Sequence, residues 1–204
     1  MTGLRARQKA DRNRRLLETA SRLFRDHGYG SVRIEDIAAA ADVSVGTFYN
    51  YFGTKGDVLL AIVTMEVEEV LAQGDAVVRA PLTDIEAALT ALIGGYYEHS
   101  LVYLTKEMWR TAMALSIDAP ETPFSRRYTE LDSFLRDQVC ALMVRFHVKG
   151  LLGARCDARA LGEIIFNNLN MMFVEFVRDE DMTVAELMQK IARHNAALAV
   201  LIRP

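Results

Sequence analysis

Between Ser31 and Leu60 the chain runs SVRIEDIAAAADVSVGTFYNYFGTKGDVLL, and no other stretch restricts the fold as much. Ile34, Ile37 and Ala38 fall on one face of a first short helix, predicted over Arg33 to Ala40 with Ser31 as its N-cap. Asp42-Val43 makes a tight turn, and Ser44 caps a second, very short helix, Val45 to Tyr51. Two short helices across such a turn form a helix-turn-helix, and the small alanines of the first let the second approach closely. A helix this short has almost no stability of its own, so its neighbours must hold it. Phe48 and Phe52, four apart, are the expected anchors. The side chains left over are Ser44, Val45, Gly46, Thr47, Tyr49, Asn50 and Tyr51. Small residues allow close approach, hydroxyls and Asn bond bases or phosphates, and the helix N-terminus favours a phosphate. Such a face suits the major groove of double-stranded DNA. The alternative for Tyr49 is the core, a place that Phe48 and Phe52 already fill.

Helix signals continue along the chain, with prolines only at 81, 120, 123 and 204 and no strand-like alternation. The first helix is predicted over Ala10 to His27, buried through Leu16, Ala20, Leu23 and Phe24 and ended by Gly28. Thr54 bonding the amide of Asp57 opens a fourth, reaching about Gln73. Thr83-Asp84-Ile85-Glu86 is a capping box for a helix to about Ser100, and Tyr103 to Ile117 follows. Thr122 then caps a helix with Pro123 at its first position, ending near Gly150. Asp157 caps another to Val177, and the capping box Thr183-Val184-Ala185-Glu186 opens the last. The expected fold is all-α with nine helices: a three-helix head over residues 1–54 and a six-helix body over residues 55–204.

Charge divides along the same line. Residues 1–55 hold 10 basic and 6 acidic side chains, and residues 56–204 hold 14 and 21, within an overall net charge of −3. A basic head on an acidic body can meet phosphates while the body keeps the protein soluble. Two cysteines without CxxC spacing suggest neither a disulfide framework nor a zinc site, and they suit a reducing, cytoplasmic setting. The Arg-rich start lacks the apolar stretch of a secretory signal, and no uncharged apolar run spans a membrane.

The run Val43-Ser44-Val45-Gly46-Thr47-Phe48-Tyr49-Asn50-Tyr51-Phe52 followed by Thr54-Lys55, preceded by Ile37-Ala38 and by Phe24-Arg25-Asp26-His27-Gly28-Tyr29, resembles the TetR family of transcriptional regulators. The likeness covers roughly residues 10–62. It departs from the family at Asp42, where glycine is usual and positive φ is expected. The resemblance implies that Ser44, Val45, Gly46, Thr47, Tyr49, Asn50 and Tyr51 face DNA. It makes Tyr49 and Lys55 phosphate contacts, with Ser31 and Arg33 helping from the preceding helix. The basic arm Arg5, Arg7, Lys9, Arg12 is open to two readings, a minor-groove or phosphate contact and a solvated tail.

The resemblance also implies a two-fold homodimer in which the last two long helices form a four-helix bundle with the partner's pair. The expected interface residues are Asn168, Met172 and Glu175 on the eighth helix and Leu187, Ile191, Asn195 and Leu198 on the ninth. The alternative is a monomer whose own core uses both helices. Two heads about 34 Å apart read a near-palindrome. Aromatic and Met side chains in the body suggest a ligand pocket for a small, mostly apolar effector. Tyr96, Trp109, Met113 and Phe134 are its expected walls, and Asn167 and Asn170 its polar groups; ordinary core is the competing reading. Gly94-Gly95 inside the fifth helix marks a bend or a close helix contact. An effector that prefers one tilt of the fourth helix would alter the spacing of the heads and release the operator.

Neither a cofactor nor a metal is expected, and an enzyme is disfavoured. There is no HExxH, Gly-rich phosphate loop or GxSxG, and the four histidines lie on separate helices. Two rival functions remain, a helical small-molecule carrier and a DNA-binding adaptor controlled by a protein partner. Repression is the usual mode of the family and is adopted from it.

Overall fold

The computed structural model describes residues 2–80 and 84–202. Among these, every regular element is helical: α1 Thr2–His27, α2 Ile34–Ala40, α3 Val45–Tyr49, α4 Lys55–Arg79, α5 Ile85–His99, α6 Lys106–Asp118, α7 Pro123–Val148, α8 Ala158–Arg178 and α9 Val184–Ile202. None is long and apolar enough to cross a membrane.

The starts of the helices follow local chemistry. Ser44 Oγ accepts the amide of Thr47 at 3.0 Å, and Asp157 accepts those of Arg159 and Ala160 at 3.0 Å each. Reciprocal boxes join Thr54 with Asp57 and Thr183 with Glu186. These bonds satisfy amides that a helix leaves without intrahelical partners. The bonds from Thr183 also hold the Glu186 carboxyl below its ordinary pKa. Some starts differ from expectation. α2 is capped at Arg33, whose amide donates to Asp36 at 2.8 Å. Ser31 instead turns back, its hydroxyl donating to the carbonyls of His27 and Gly28. Asp84 caps α5 through Ala87 at 2.8 Å, while Thr83 lies outside the described residues. Thr105 caps α6 three residues beyond the predicted start. Asp42 has φ 54°, the left-handed turn expected of it.

The chain forms two compact units, residues 1–65 with 102–128 and residues 66–101 with 129–204. In the first, Leu16, Leu17, Ala20 and Phe24 of α1 are buried together with Ile37 and Ala38 of α2, Phe48 of α3 and Phe52 after it. The Phe48 and Phe52 rings lie 5.7 Å apart. The segment around α6 belongs to this unit. Ser21 Oγ donates to the Tyr103 carbonyl at 2.5 Å, Arg25 donates to that of Val102, and the Tyr29 amide donates to Glu107 at 3.4 Å. Lys106, Met108, Trp109 and Ala112 are the buried residues of α6.

The second unit is built around α8, whose Leu161, Ile165, Phe166, Leu169, Met172, Phe173 and Phe176 are all buried. α9 packs on α5, burying Leu187, Ile191 and Asn195 inside the chain itself. At Gly94 an added Cβ would stand 3.1 Å from Met188 Cε, so this half of the Gly94-Gly95 pair does mark a close helix contact.

Candidate nucleic-acid interface

Five residues form α3, and its two anchors decide what the rest can do. Phe48 is fully buried and Phe52 nearly so. With that face spent, Ser44, Val45, Gly46, Tyr49 and Asn50 are exposed, and Thr47 and Tyr51 are half-buried. Tyr49 is 51% exposed, its ring edge-on to Phe48 at 5.9 Å. The core alternative for this residue is therefore set aside. Ser31 and Arg33 are exposed as well. Nine of the ten residues expected to meet DNA are thus exposed or half-buried in the first unit.

Lys55 is the exception. Its Nζ donates to the carbonyls of Tyr29, Gly30 and Val32 at 2.8, 3.2 and 3.1 Å and stands 4.5 Å from the Tyr29 ring centroid. An ammonium has three protons, and all three are committed to the loop between α1 and α2. Lys55 therefore holds that loop, where the sequence reading expected a phosphate contact. Burial and the nearby Asp57 raise the Tyr29 phenol above its ordinary pKa.

The expected ligand residues are shared between the two units. Trp109 and Met113 belong to the first unit and Tyr96, Phe134, Asn167 and Asn170 to the second. Asn167 is exposed, and Phe134 is 41% exposed. What the second unit does assemble is a polar centre that the sequence did not announce. Asp132 on α7 accepts from Asn170 Nδ2 at 3.3 Å. Burial raises its carboxyl above the ordinary range, with Arg136 partly offsetting this. The Asp132 charge in turn helps hold up the pKa of Tyr97, after burial as the larger cause. The Tyr97 hydroxyl donates to the Leu169 carbonyl at 2.7 Å, and its ring stacks on Phe173 at 5.3 Å. Tyr96 donates to Gln138 Oε1 at 2.6 Å, and Gln138 Nε2 donates to Leu71 and Asp75. Burial, then Asp75, also raises the Tyr96 pKa. Elsewhere in this unit His99 lies between Glu66 at 2.6 Å and Glu69 at 3.3 Å. Among the described residues no group of three or more His, Cys, Asp or Glu is arranged to hold a metal.

The expected dimer residues also divide. Met172 of α8 is buried within the chain, and so are Leu187, Ile191 and Asn195 of α9, which packs on α5. Asn168 and Glu175 are exposed, and Leu198 is half-buried. The apolar side chains left uncovered are Ile164 and Met171 on α8 and Val200 and Leu201 on α9, exposed by 59–81%. Asn168 Nδ2 and His194 Nδ1, 3.2 Å apart, join the two helices on the exposed side.

Residues 16–62 match the family model described as bacterial regulatory proteins, tetR family. Similar curated proteins include the HTH-type transcriptional regulator YuxN of Bacillus subtilis, 24% identical over 189 residues, which cover 79% of this chain and 63% of that protein. The HTH-type transcriptional repressor KstR of Rhodococcus jostii is 31% identical over 104 residues, 50% of this chain and 48% of that one. The matched length is thus between about half and two thirds of these relatives. Among solved structures, a transcriptional regulator from Saccharomonospora viridis in complex with choline superposes with a TM-score of 0.72 at 20% identity, covering 96% of this chain and 99% of that one. That identity speaks for the fold alone. Residues 16–62, which hold the helix-turn-helix, are thus similar to the tetR family, and the rest of the chain shares a helical fold with solved structures of transcriptional regulators.

Proposed function

We propose that this chain is a transcriptional repressor of the cytoplasm. It binds a palindromic operator as a homodimer through residues 1–54 and lets go when residues 55–204 take up a small, mostly apolar effector. One observation carries the reading: α3 is pinned by Phe48 and Phe52 and turns Ser44, Gly46, Tyr49 and Asn50 to solvent. A short helix with that face has no packing use for its exposed Tyr, and a duplex groove accepts its hydroxyls and amide. The repressor relative and the tetR family match support the same function.

The test is retention of sheared genomic DNA from the source organism, with Tyr49→Ala alongside. The expected result is one short palindrome enriched by the wild type and lost by the variant. Retention of no specific sequence by either protein, with weak salt dependence, would refute the reading and favour a carrier.

A second reading of the effector has its own support. Asp132 is a half-buried carboxylate near a stacked Tyr97–Phe173 pair, and a carboxylate beside aromatic faces suits a small organic cation. The choline-bound relative is consistent with that chemistry. Melting curves with choline and with a medium-chain fatty acid separate the two, since a ligand at about 100 times its Kd adds roughly 2.7 kcal/mol of stability. A shift with choline that Asp132→Asn abolishes selects the cation. A shift with the fatty acid alone selects the apolar effector.

A further inference from the structure

The loop between α1 and α2 is gripped at Tyr29 by two charged side chains. The Tyr29 carbonyl accepts from Lys55 Nζ at 2.8 Å, and its amide donates to Glu107 Oε2 at 3.4 Å, a long hydrogen bond. Its ring centroid lies 4.5 Å from Lys55 Nζ and 5.0 Å from that of Phe24. Lys55 opens α4, and Glu107 stands in the first turn of α6. Gly28 turns the chain out of α1 at φ 81°, next to the Glu107 carboxylate. The loop carries Ser31 and Arg33, both exposed and both expected to meet DNA, and Arg33 is the N-cap of α2. α2 in turn packs on α3. A shift of the loop therefore moves Ser31 and Arg33 directly and α3 through α2.

A helix as short as α3 holds no position of its own, and base readout rests on hydrogen bonds of narrow geometry. What fixes the loop thus bears on what α3 reads. Lys55 is half-buried with its three protons on the carbonyls of Tyr29, Gly30 and Val32. A phosphate gains this ammonium only after the loop loses it. Glu107 gives an independent handle on the same loop. A carboxylate repels a phosphate, so an effect of Glu107 on DNA affinity that leaves phosphate contacts intact must travel through the loop.

We propose that Lys55 and Glu107 are positioning residues of the DNA-binding head: they hold the loop between α1 and α2 from two sides and so set α2 and α3 for base readout, while neither neutralises a phosphate. This rests on the DNA-binding reading and deepens it. Loss of either residue costs sequence discrimination and leaves the count of phosphate contacts unchanged.

The experiment uses the full chain and a duplex selected by the wild type from a randomised pool, with a scrambled duplex beside it. Affinities are measured from about 50 to about 200 mM salt for wild type, Lys55→Met, Lys55→Arg, Glu107→Ala and Glu107→Gln, each first shown to melt cooperatively above the assay temperature. Lys55→Met and Glu107→Ala are expected to lower the ratio of selected to scrambled affinity on the order of 10-fold, as one mismatched base pair does, and to keep the wild-type slope of log K against log salt. Lys55→Arg is expected to lower the ratio as well, because a planar fork does not bring three protons onto these three carbonyls, whereas a phosphate accepts arginine readily. Glu107→Gln, whose amide oxygen still accepts from Tyr29, is expected to restore most of what Glu107→Ala loses. If Lys55→Met does not fold, the other three variants carry the test. A slope shallower by about 0.9 in Lys55→Met overturns the proposal, because Lys55 then meets a phosphate. So does a wild-type ratio in Lys55→Arg or in Glu107→Ala, which leaves the loop bonds a purely structural role. A wild type that selects no duplex is a different result, and it brings down the DNA-binding reading itself.

Discussion

Asp132 lies inside the second unit at a cost, and that cost has a sign. Burial raises its folded-state pKa above the unfolded value, so the folded chain holds the proton more tightly than the unfolded chain does. The favourable contribution is complete below the unfolded pKa, about 3.9. It is lost as pH rises through the higher folded value, and at neutral pH the ionised carboxylate works against folding. Asp132→Asn keeps an acceptor for Asn170 and removes the charge. It is expected to raise the melting temperature at pH 7 and to leave it unchanged near pH 3. A variant that melts lower at pH 7 would show that Arg136 more than compensates. Nothing around Asp132 in the sequence distinguishes it from Glu130 or Asp137, since burial of one carboxylate depends on where α8 places Asn170. Lys55 was hidden for the same reason: its three carbonyl partners lie 23 to 26 residues back along the chain.

Elements whose limits are written in adjacent residues were legible. Ser44, Thr54, Asp157 and Thr183 each cap the helix assigned to them, and Asp42 takes its left-handed turn, because cap and turn chemistry acts within a few residues. The pairing of elements was less legible. The stripe Leu187, Ile191, Asn195 says that α9 buries a face but does not name what covers it; a partner subunit was expected, and α5 of the same chain is there. Helix spacing shows the same limit through two glycines. A Cβ on Gly162 of α8 would lie 2.6 Å from the Cα of Cys140 on α7, whereas one on Gly95 of α5 would meet nothing within 4 Å. One substitution therefore has opposite effects. Gly162→Ala must push α7 and α8 apart and is expected to cost about 1–3 kcal/mol. Gly95→Ala only removes backbone freedom and is expected to add up to about 1 kcal/mol. Urea melts of the two variants check this, and equal effects would show that α8 yields where its packing says it cannot.

For the whole molecule, the α8–α9 pair decides between dimer and monomer. With Met172, Leu187, Ile191 and Asn195 already buried, a partner meets exposed residues of the pair, among them Ile164, Asn168, Met171 and Glu175 on α8, and His194, Val200 and Leu201 on α9. Large apolar side chains exposed together on adjacent helices mark an association surface, and a surface meeting its own copy across a two-fold axis closes into a dimer. An operator read by one short helix has few specified bases, so head affinity depends on both copies being joined. The paired substitution Met171→Asp and Leu201→Asp places carboxylates on this surface without entering the core of the unit, because both side chains are more than half exposed. The wild type is expected to run at twice the 22.9 kDa chain mass in light scattering and the variant at the chain mass. Losing the tether between heads is expected to weaken operator binding by on the order of 100-fold, with the melting temperature of the monomeric variant still measurable as a cooperative transition. A variant that remains dimeric would move the interface off this face, and a wild type at the chain mass would leave α8 and α9 as the core of a monomer.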